Sequence, residues 1–259
     1  MTAIATEQTH VVKGVSDTRS PWMRWAVLPT LLCVALIGLI ALVGTSDLDS
    51  IERRSLNSST LLSAVGEHVL LTLVSTALVL VIAIPLGITL TRRWTRPFRG
   101  FLLGLANIGQ AVPTIGLIAL MAVAFNWIGF YAAVVALVAY AVLPVLRNTM
   151  VGIAGVDRSV LEAGRGMGMS PGQVLTRLEL PLAIPVILAG VRTALVVNVG
   201  TATLAAYINA GGLGKVIIAG LSTNRMLVTF VGAALTAVLA LFIDYVSGVA
   251  EHILRPKGL

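Results

Sequence analysis

Six long apolar runs separated by short polar connections organise this chain: residues 25–44, 68–91, 101–125, 128–147, 182–205 and 227–249. Each provides the ~20 apolar residues that an α-helix needs to cross a bilayer. In hydrocarbon every backbone N–H and C=O must find its partner within the span, and the runs lack the strict alternation of barrel strands. The pattern therefore predicts an all-α integral membrane protein with six transmembrane helices. Between the fourth and fifth runs the character changes. A polar, glycine-rich segment, Glu162-Ala163-Gly164-Arg165-Gly166-Met167-Gly168, runs on to Leu178-Glu179-Leu180-Pro181.

Composition agrees with the pattern. Only 11% of the 259 residues are charged and 57% are hydrophobic, whereas a soluble domain carries about 25% charged residues. The net charge of +7 sits in clusters flanking the runs, so it reads as a topology signal rather than a nucleic-acid surface. With the N-terminus inside, the inner side carries thirteen Lys and Arg (Lys13, Arg19, Arg24, Arg92, Arg93, Arg96, Arg99, Arg147, Arg158, Arg165, Arg177, Arg255, Lys257). The outer side then carries four, Arg53, Arg54, Lys215 and Arg225. This bias places both termini and the polar segment in the cytosol. The first run is longer than the 7–15 residues of a cleavable signal core and ends without a small-x-small site, so it reads as a retained span behind a cytosolic tail, residues 1–24. The sole cysteine, Cys33, is expected to be a small buried apolar residue.

Candidate chemistry is sparse. Gly212-Leu213-Gly214-Lys215 resembles part of a phosphate-binding loop, but Asn209 and Val216 stand where that motif needs glycine and Ser/Thr. His10, His68 and His252 are scattered, so neither a metal site nor a catalytic constellation is expected. Polar residues inside the runs are costly and mark a pathway or a pair. Those here are Gln110, Arg192, Asn198 and Asp244. Arg192 lies roughly 16 Å along a helix from Pro181, which leaves an Arg192–Asp244 pair open. Pro85, Pro113, Pro144 and Pro185 should kink or interrupt their spans. In Gln110-Ala111-Val112-Pro113-Thr114 a break coincides with polar side chains, so Gln110, Pro113, Thr114, Arg192 and Asn198 are candidate pathway-lining residues. Ordinary bundle packing is the competing reading.

The polar segment is the strongest signal. Ser159 reads as an N-cap with Glu162 at the capping-box position. Gly164, Gly166 and Gly168 oppose a long helix and allow a sharp turn and close approach by another surface. Ser170 followed by Pro171 opens a second short helix through Arg177, which Leu180-Pro181 ends at the entry to the fifth span. A solvated connection does not account for three glycines in this order.

Glu162 through Pro181 resembles the EAA loop of permease subunits of ATP-binding-cassette importers, with Gly164 in place of the usual second alanine. Four further stretches are similar to the glycine betaine/carnitine/choline branch: Leu143-Pro144-Val145-Leu146-Arg147, Glu179-Leu180-Pro181-Leu182-Ala183, Ala189-Gly190-Val191-Arg192 and Gly211-Gly212-Leu213-Gly214. The resemblance implies a permease domain over residues 67–248, preceded by the first span and outer loop (25–66) and followed by a cytosolic tail (249–259). It also implies a non-enzymatic subunit of the bacterial inner membrane with no cofactor of its own, ATP and Mg being bound by cytosolic ATPase partners. A second permease, identical or paralogous, and an extracytoplasmic binding protein would complete the machine. Glu162, Ala163, Gly164, Gly168, Leu180 and Pro181 would form the ATPase-coupling site. An importer for an amino acid, or a self-sufficient secondary carrier, remains open on the sequence alone.

Overall fold

The computed structural model describes residues 21–254, over which all regular secondary structure is helical. Lys13, Arg19, Arg255 and Lys257, counted above for topology, lie outside the described residues. Eleven α-helices follow in order: α1 Pro21–Thr45, α2 Ser50–Ser55, α3 Ser58–Leu90, α4 Arg96–Ala111, α5 Thr114–Ala124, α6 Phe130–Ala154, α7 Arg158–Gly166, α8 Pro171–Val174, α9 Leu180–Ala202, α10 Gly214–Ser222 and α11 Met226–Leu254. A π-helical turn, Leu175–Glu179, joins α8 to α9, and a 3-10 segment, Thr203–Ile208, extends α9.

Five helical stretches are long and apolar enough to cross a membrane: Ala26–Thr45, Ser58–Leu90, Phe130–Ala154, Pro171–Ile208 and Met226–Leu254. The third expected span, 101–125, is not one helix. It begins earlier, at Arg96, and folds as α4 and α5, bent by 92°. Pro113 forces the break: it has no N–H to donate, and its ring pushes Val112 out of helical geometry, to φ −72 and ψ 127. At 11 residues, α5 is only about 16 Å long, too short to cross ~30 Å of hydrocarbon by itself. Only with the bent pair taken as one broken span does the number of crossings reach six. The other prolines do not interrupt their spans. Pro85, Pro144 and Pro185 sit inside unbroken helices.

The connection 45–67 contains structure that the hydropathy pattern does not signal. Asp49 and Glu52 form a capping box that starts α2, and Asn57 accepts the Thr60 amide to start α3 ten residues ahead of the apolar run. The short helix α10 is likewise an addition.

The core is a three-helix stack in which α6 packs along both α3 and α9. Small residues set its spacing. Ala132, Ala133, Ala136 and Ala141 of α6 are wholly buried. A Cβ added to Gly87 would lie 2.7 Å from Thr149 Cβ, and one added to Gly190 would lie 2.7 Å from Asn148 Cβ. α11 covers α9, and α1 lies against α11 at the edge. Between α1, α3 and α11 runs an apolar groove of about 800 Å³, lined by Leu36, Leu39, Leu61 and Leu235 among others. Cys33 lines that groove too and is exposed rather than buried: α1 packs along one side only, which leaves most of its surface uncovered.

Two glycines of α4 separate packing from intrinsic helix propensity. A Cβ at Gly109 would collide with the Ala139 carbonyl of α6, while Gly104 has open space around it. Gly109→Ala should destabilise the protein by about 1–3 kcal/mol. Gly104→Ala should be neutral or stabilise by up to about 1 kcal/mol. Thermal unfolding of the two detergent-purified variants checks this.

Candidate functional site

The polar segment folds as two helices meeting at a tight turn at one end of the bundle. Asp157, not Ser159, caps α7: its carboxylate accepts the Ser159 amide at 2.9 Å. That backbone bond holds the Asp157 carboxyl below the usual aspartate range. Two potential caps lie two residues apart in the sequence, and the earlier one reaches the free amides of the first turn. Glu162 and Ala163 are exposed, and Glu162 has no hydrogen bond or ion pair among the described residues. Met167 at the tip is 72% exposed.

Two of the three glycines have distinct reasons to be there. Gly164 is buried, and a Cβ on it would lie 2.5 Å from Leu178 Cδ1, so its close contact is internal, with the start of the long α8–α9 helix. It is not a surface left open for a partner. Gly168 has open space around it, and φ of +83 accounts for its identity. The chain reverses there, with the Met169 amide donating to Gly164 O at 3.1 Å and the Gly168 amide to Arg165 O at 2.9 Å. Ser170 then caps α8 through a reciprocal box with Gln173.

The second helix does not stop at Leu180-Pro181. Pro171–Ile208 is one helical stretch. The π turn lets the Leu180 amide reach back to Leu175 O, five residues away, and the helix continues through Pro181. Leu180 and Pro181 are half-buried within it. Glu179 in this turn is 5% exposed and meets Arg92, just past the end of α3, in a bidentate ion pair, with the second contact from Arg92 Nη1 to Glu179 Oε1 at 3.2 Å. Arg99 donates twice to Leu90 O, at 2.8 and 2.5 Å, fixing the start of α4 on the same corner. Sequence reasoning missed the Arg92–Glu179 pair. A buried-type carboxylate beside Leu-Pro was its sole signal.

The candidate pathway residues do not form one site. At the α4–α5 break Gln110 is half-buried, Pro113 exposed and Thr114 buried. Arg192 of α9 pairs with Asp244 of α11 through two bonds, 2.5 and 2.7 Å, and Glu251 lies 3.8 Å away. This settles the pair left open by sequence. Asn198 is wholly buried between α9 and α3, its amide donating to Ser75 Oγ at 3.1 Å and Thr76 Oγ1 at 3.0 Å. At the opposite end of the bundle from α7, the loop Gly211–Gly214 is tied to α3. The Gly212 amide and Lys215 Nζ both donate to Glu67 Oε2, at 2.8 and 3.2 Å. The Leu213 amide donates to His68 Nδ1, which assigns the proton to Nε2 and its bond to Val199 O at 2.9 Å.

The sequence profile of the family described as "Binding-protein-dependent transport system inner membrane component" matches residues 83–256, from within α3 to the end of α11. The chain belongs to that family. It is 41% identical over 203 residues to the glycine betaine/carnitine/choline transport system permease protein OpuCB of Bacillus subtilis (strain 168), covering 78% of this chain and 92% of that protein. It is 35% identical over 217 residues to the osmoprotectant import permease protein OsmW of Salmonella typhimurium, covering 82% and 100%. An inward-facing structure of the MetNI methionine ABC transporter matches with a TM-score of 0.67 at 25% identity, covering 76% of this chain and 96% of that one. Arg92, Glu162, Gly168 and Glu179 all fall within the residues matched to this permease family.

Gly164 offers a direct test of the turn. Gly164→Ala displaces only a terminal methyl of Leu178 and should cost less than about 1 kcal/mol, while Gly164→Leu should cost about 1–3 kcal/mol. For the Arg192–Asp244 pair, neutralising Arg192 should lower the yield of folded protein more than neutralising Asp244, because the first leaves two carboxylates without their cation while the second leaves Arg192 with Glu251 at 3.8 Å. The exchange Arg192→Asp with Asp244→Arg should recover much of it. Size-exclusion profiles and unfolding temperatures report both sets.

Proposed function

We propose that this chain is the membrane-spanning subunit of an ATP-binding-cassette importer for a small osmoprotectant of the glycine betaine, choline or carnitine class. The observation that carries this reading is 41% identity across nearly the whole length of permeases named for those substrates. The α7–α8 turn faces the cytosol and seats in a groove of a partner ATPase. Arginine clusters at 92–99 and at 147, 158, 165 and 177 support this orientation of the bundle. Glu162 offers an unpaired acceptor to basic or amide groups of the groove, and Gly168 gives the turn its sharpness. A second permease, the same chain or a paralogue, and an extracytoplasmic binding protein complete the assembly.

The chemistry belongs to the partner, which binds ATP and Mg. What this chain contributes is mechanical. Because α8 runs without interruption into α9, a displacement at the docked turn is carried along one rigid helix into the bundle core. ATP-driven closure of the partner then rocks the spans between inward- and outward-open states, as rigid bodies. Binding both states equally would move nothing, so the docked turn must fit the ATPase better in one of them.

Purification of the permease with its ATPase tests the docking. Glu162→Lys should reduce co-purification by about tenfold or more, the effect of roughly 1.4 kcal/mol at one contact. Unchanged assembly together with unchanged substrate-stimulated ATP hydrolysis would show that Glu162 is no docking residue. Uptake in proteoliposomes should be strong for betaine, choline or carnitine, and absent for amino acids. The reverse preference would move the chain to another cargo.

A further inference from the structure

We propose that the Arg92–Glu179 pair is a positioning joint that passes motion of the docked α7–α8 turn to α3 and the broken α4–α5 span; this rests on the docking reading above. Among the described residues it is the one ion pair that ties the start of the long helix to the α3–α4 corner. That corner is itself stiff. Thr95 Oγ1 donates to Thr89 O at 2.6 Å and to Arg92 O at 2.9 Å, and Arg99 grips Leu90 O from α4. The turn Arg93–Thr95 between α3 and α4 is therefore fastened on both sides, and Glu179 attaches the whole corner to the helix that begins at the docked turn.

Three physical points favour a mechanical role over a purely structural one. A buried ion pair gives little net stability compared with well-packed apolar residues, so its attested uses are register and switching. Glu179 also sits in a π turn, an irregularity that is frequent at functional sites and that sets the rotational phase of the helix beyond it. Finally, α4 leads from this corner to the 92° break at Val112-Pro113, the one place among the described residues where a candidate span is already divided into two pieces. Motion at α8 thus has two routes into the bundle. One runs along α9, and the other runs through Glu179 and Arg92 into α4.

The test measures assembly and coupling separately in the permease–ATPase complex in proteoliposomes. Assembly is read by co-purification, and coupling by substrate transported per ATP hydrolysed. Arg92→Gln strands the buried Glu179, and Glu179→Gln leaves the half-buried Arg92 without its partner, so either can fail to fold and the deciding variants keep the site balanced. The double variant Arg92→Leu with Glu179→Leu should assemble and unfold at about the wild-type temperature, while its transport per ATP falls at least about fivefold, the lower range of typical coupling between sites. The exchange Arg92→Glu with Glu179→Arg should restore much of that ratio. A double-leucine variant that transports as many molecules per ATP as wild type would overturn the joint. So would one that no longer assembles, because the pair would then belong to the docking surface itself. Failure of the docking reading shows separately, as intact assembly and unchanged substrate-stimulated ATP hydrolysis of Glu162→Lys.

Discussion

The structure depends on how closely α3, α6 and α9 approach one another. Lipid tails are as apolar as leucine, so burying hydrophobic surface between spans gains nothing, and association rests on tight packing and interhelical hydrogen bonds. The chain meets this requirement with alanine along α6 and with glycine where backbones touch: Gly87 against Thr149, Gly152 against Ala183 and Gly190 against Asn148. Polar contacts then fix register at both levels of the stack. Asn198 joins α9 to Ser75 and Thr76 of α3, and His68 ties α3 at once to α9 and to the glycine loop beyond it. Such bonds average about 0.6 kcal/mol each in membranes, and their larger effect is to select one alignment of the helices.

A tightly registered stack suits the proposed mechanism, in which the spans move as a body. The two ends of the bundle are built differently around it. At one end short loops and an ion-pair clasp (Glu67–Lys215) hold a glycine turn onto α3. At the other, α7 and the start of the α8–α9 helix project together, packed on each other through Gly164 and Leu178 and anchored to α3 by Glu179 and Arg92. Glu162, Ala163 and Met167 are left exposed at the tip of this projection.

Much of this was legible in the chain. Span position follows from hydropathy, because the bilayer imposes both length and apolarity, and the family follows from the spacing of Glu162, Gly168, Leu180 and Pro181. What escaped depends on distant partners or on degree. Pro113 announces a lost hydrogen bond, yet the 92° bend arises from how α5 then packs on α6 and on the Thr203–Ile208 segment. Pro85, Pro144 and Pro185 carry the same local signal inside helices that stay whole, because neighbouring spans hold them. Glu179 and Arg92 stand 87 positions apart, and Arg192 and Asp244 stand 52 apart. No local pattern connects residues so separated. The displaced cap at Asp157 and the internal role of Gly164 are failures of another kind, since Asp and Ser cap equally well and glycine suits an inner contact as readily as an outer one.

The central claim is that the α7–α8 end of the bundle is the end that meets the ATPase. With its one native cysteine, Cys33, replaced by serine, the chain accepts single reporter cysteines at Ala163 on the turn and at Lys215 at the far end. A short cross-linker with a maleimide at one end and a photoreactive diazirine at the other, loaded on the permease cysteine and irradiated in the ATPase-bound complex in membranes, measures directly which end is in contact. The account predicts that Ala163→Cys yields a permease–ATPase adduct, lost when the ATPase is stripped off, and that Lys215→Cys yields none. An adduct from Lys215→Cys with none from Ala163→Cys would contradict it.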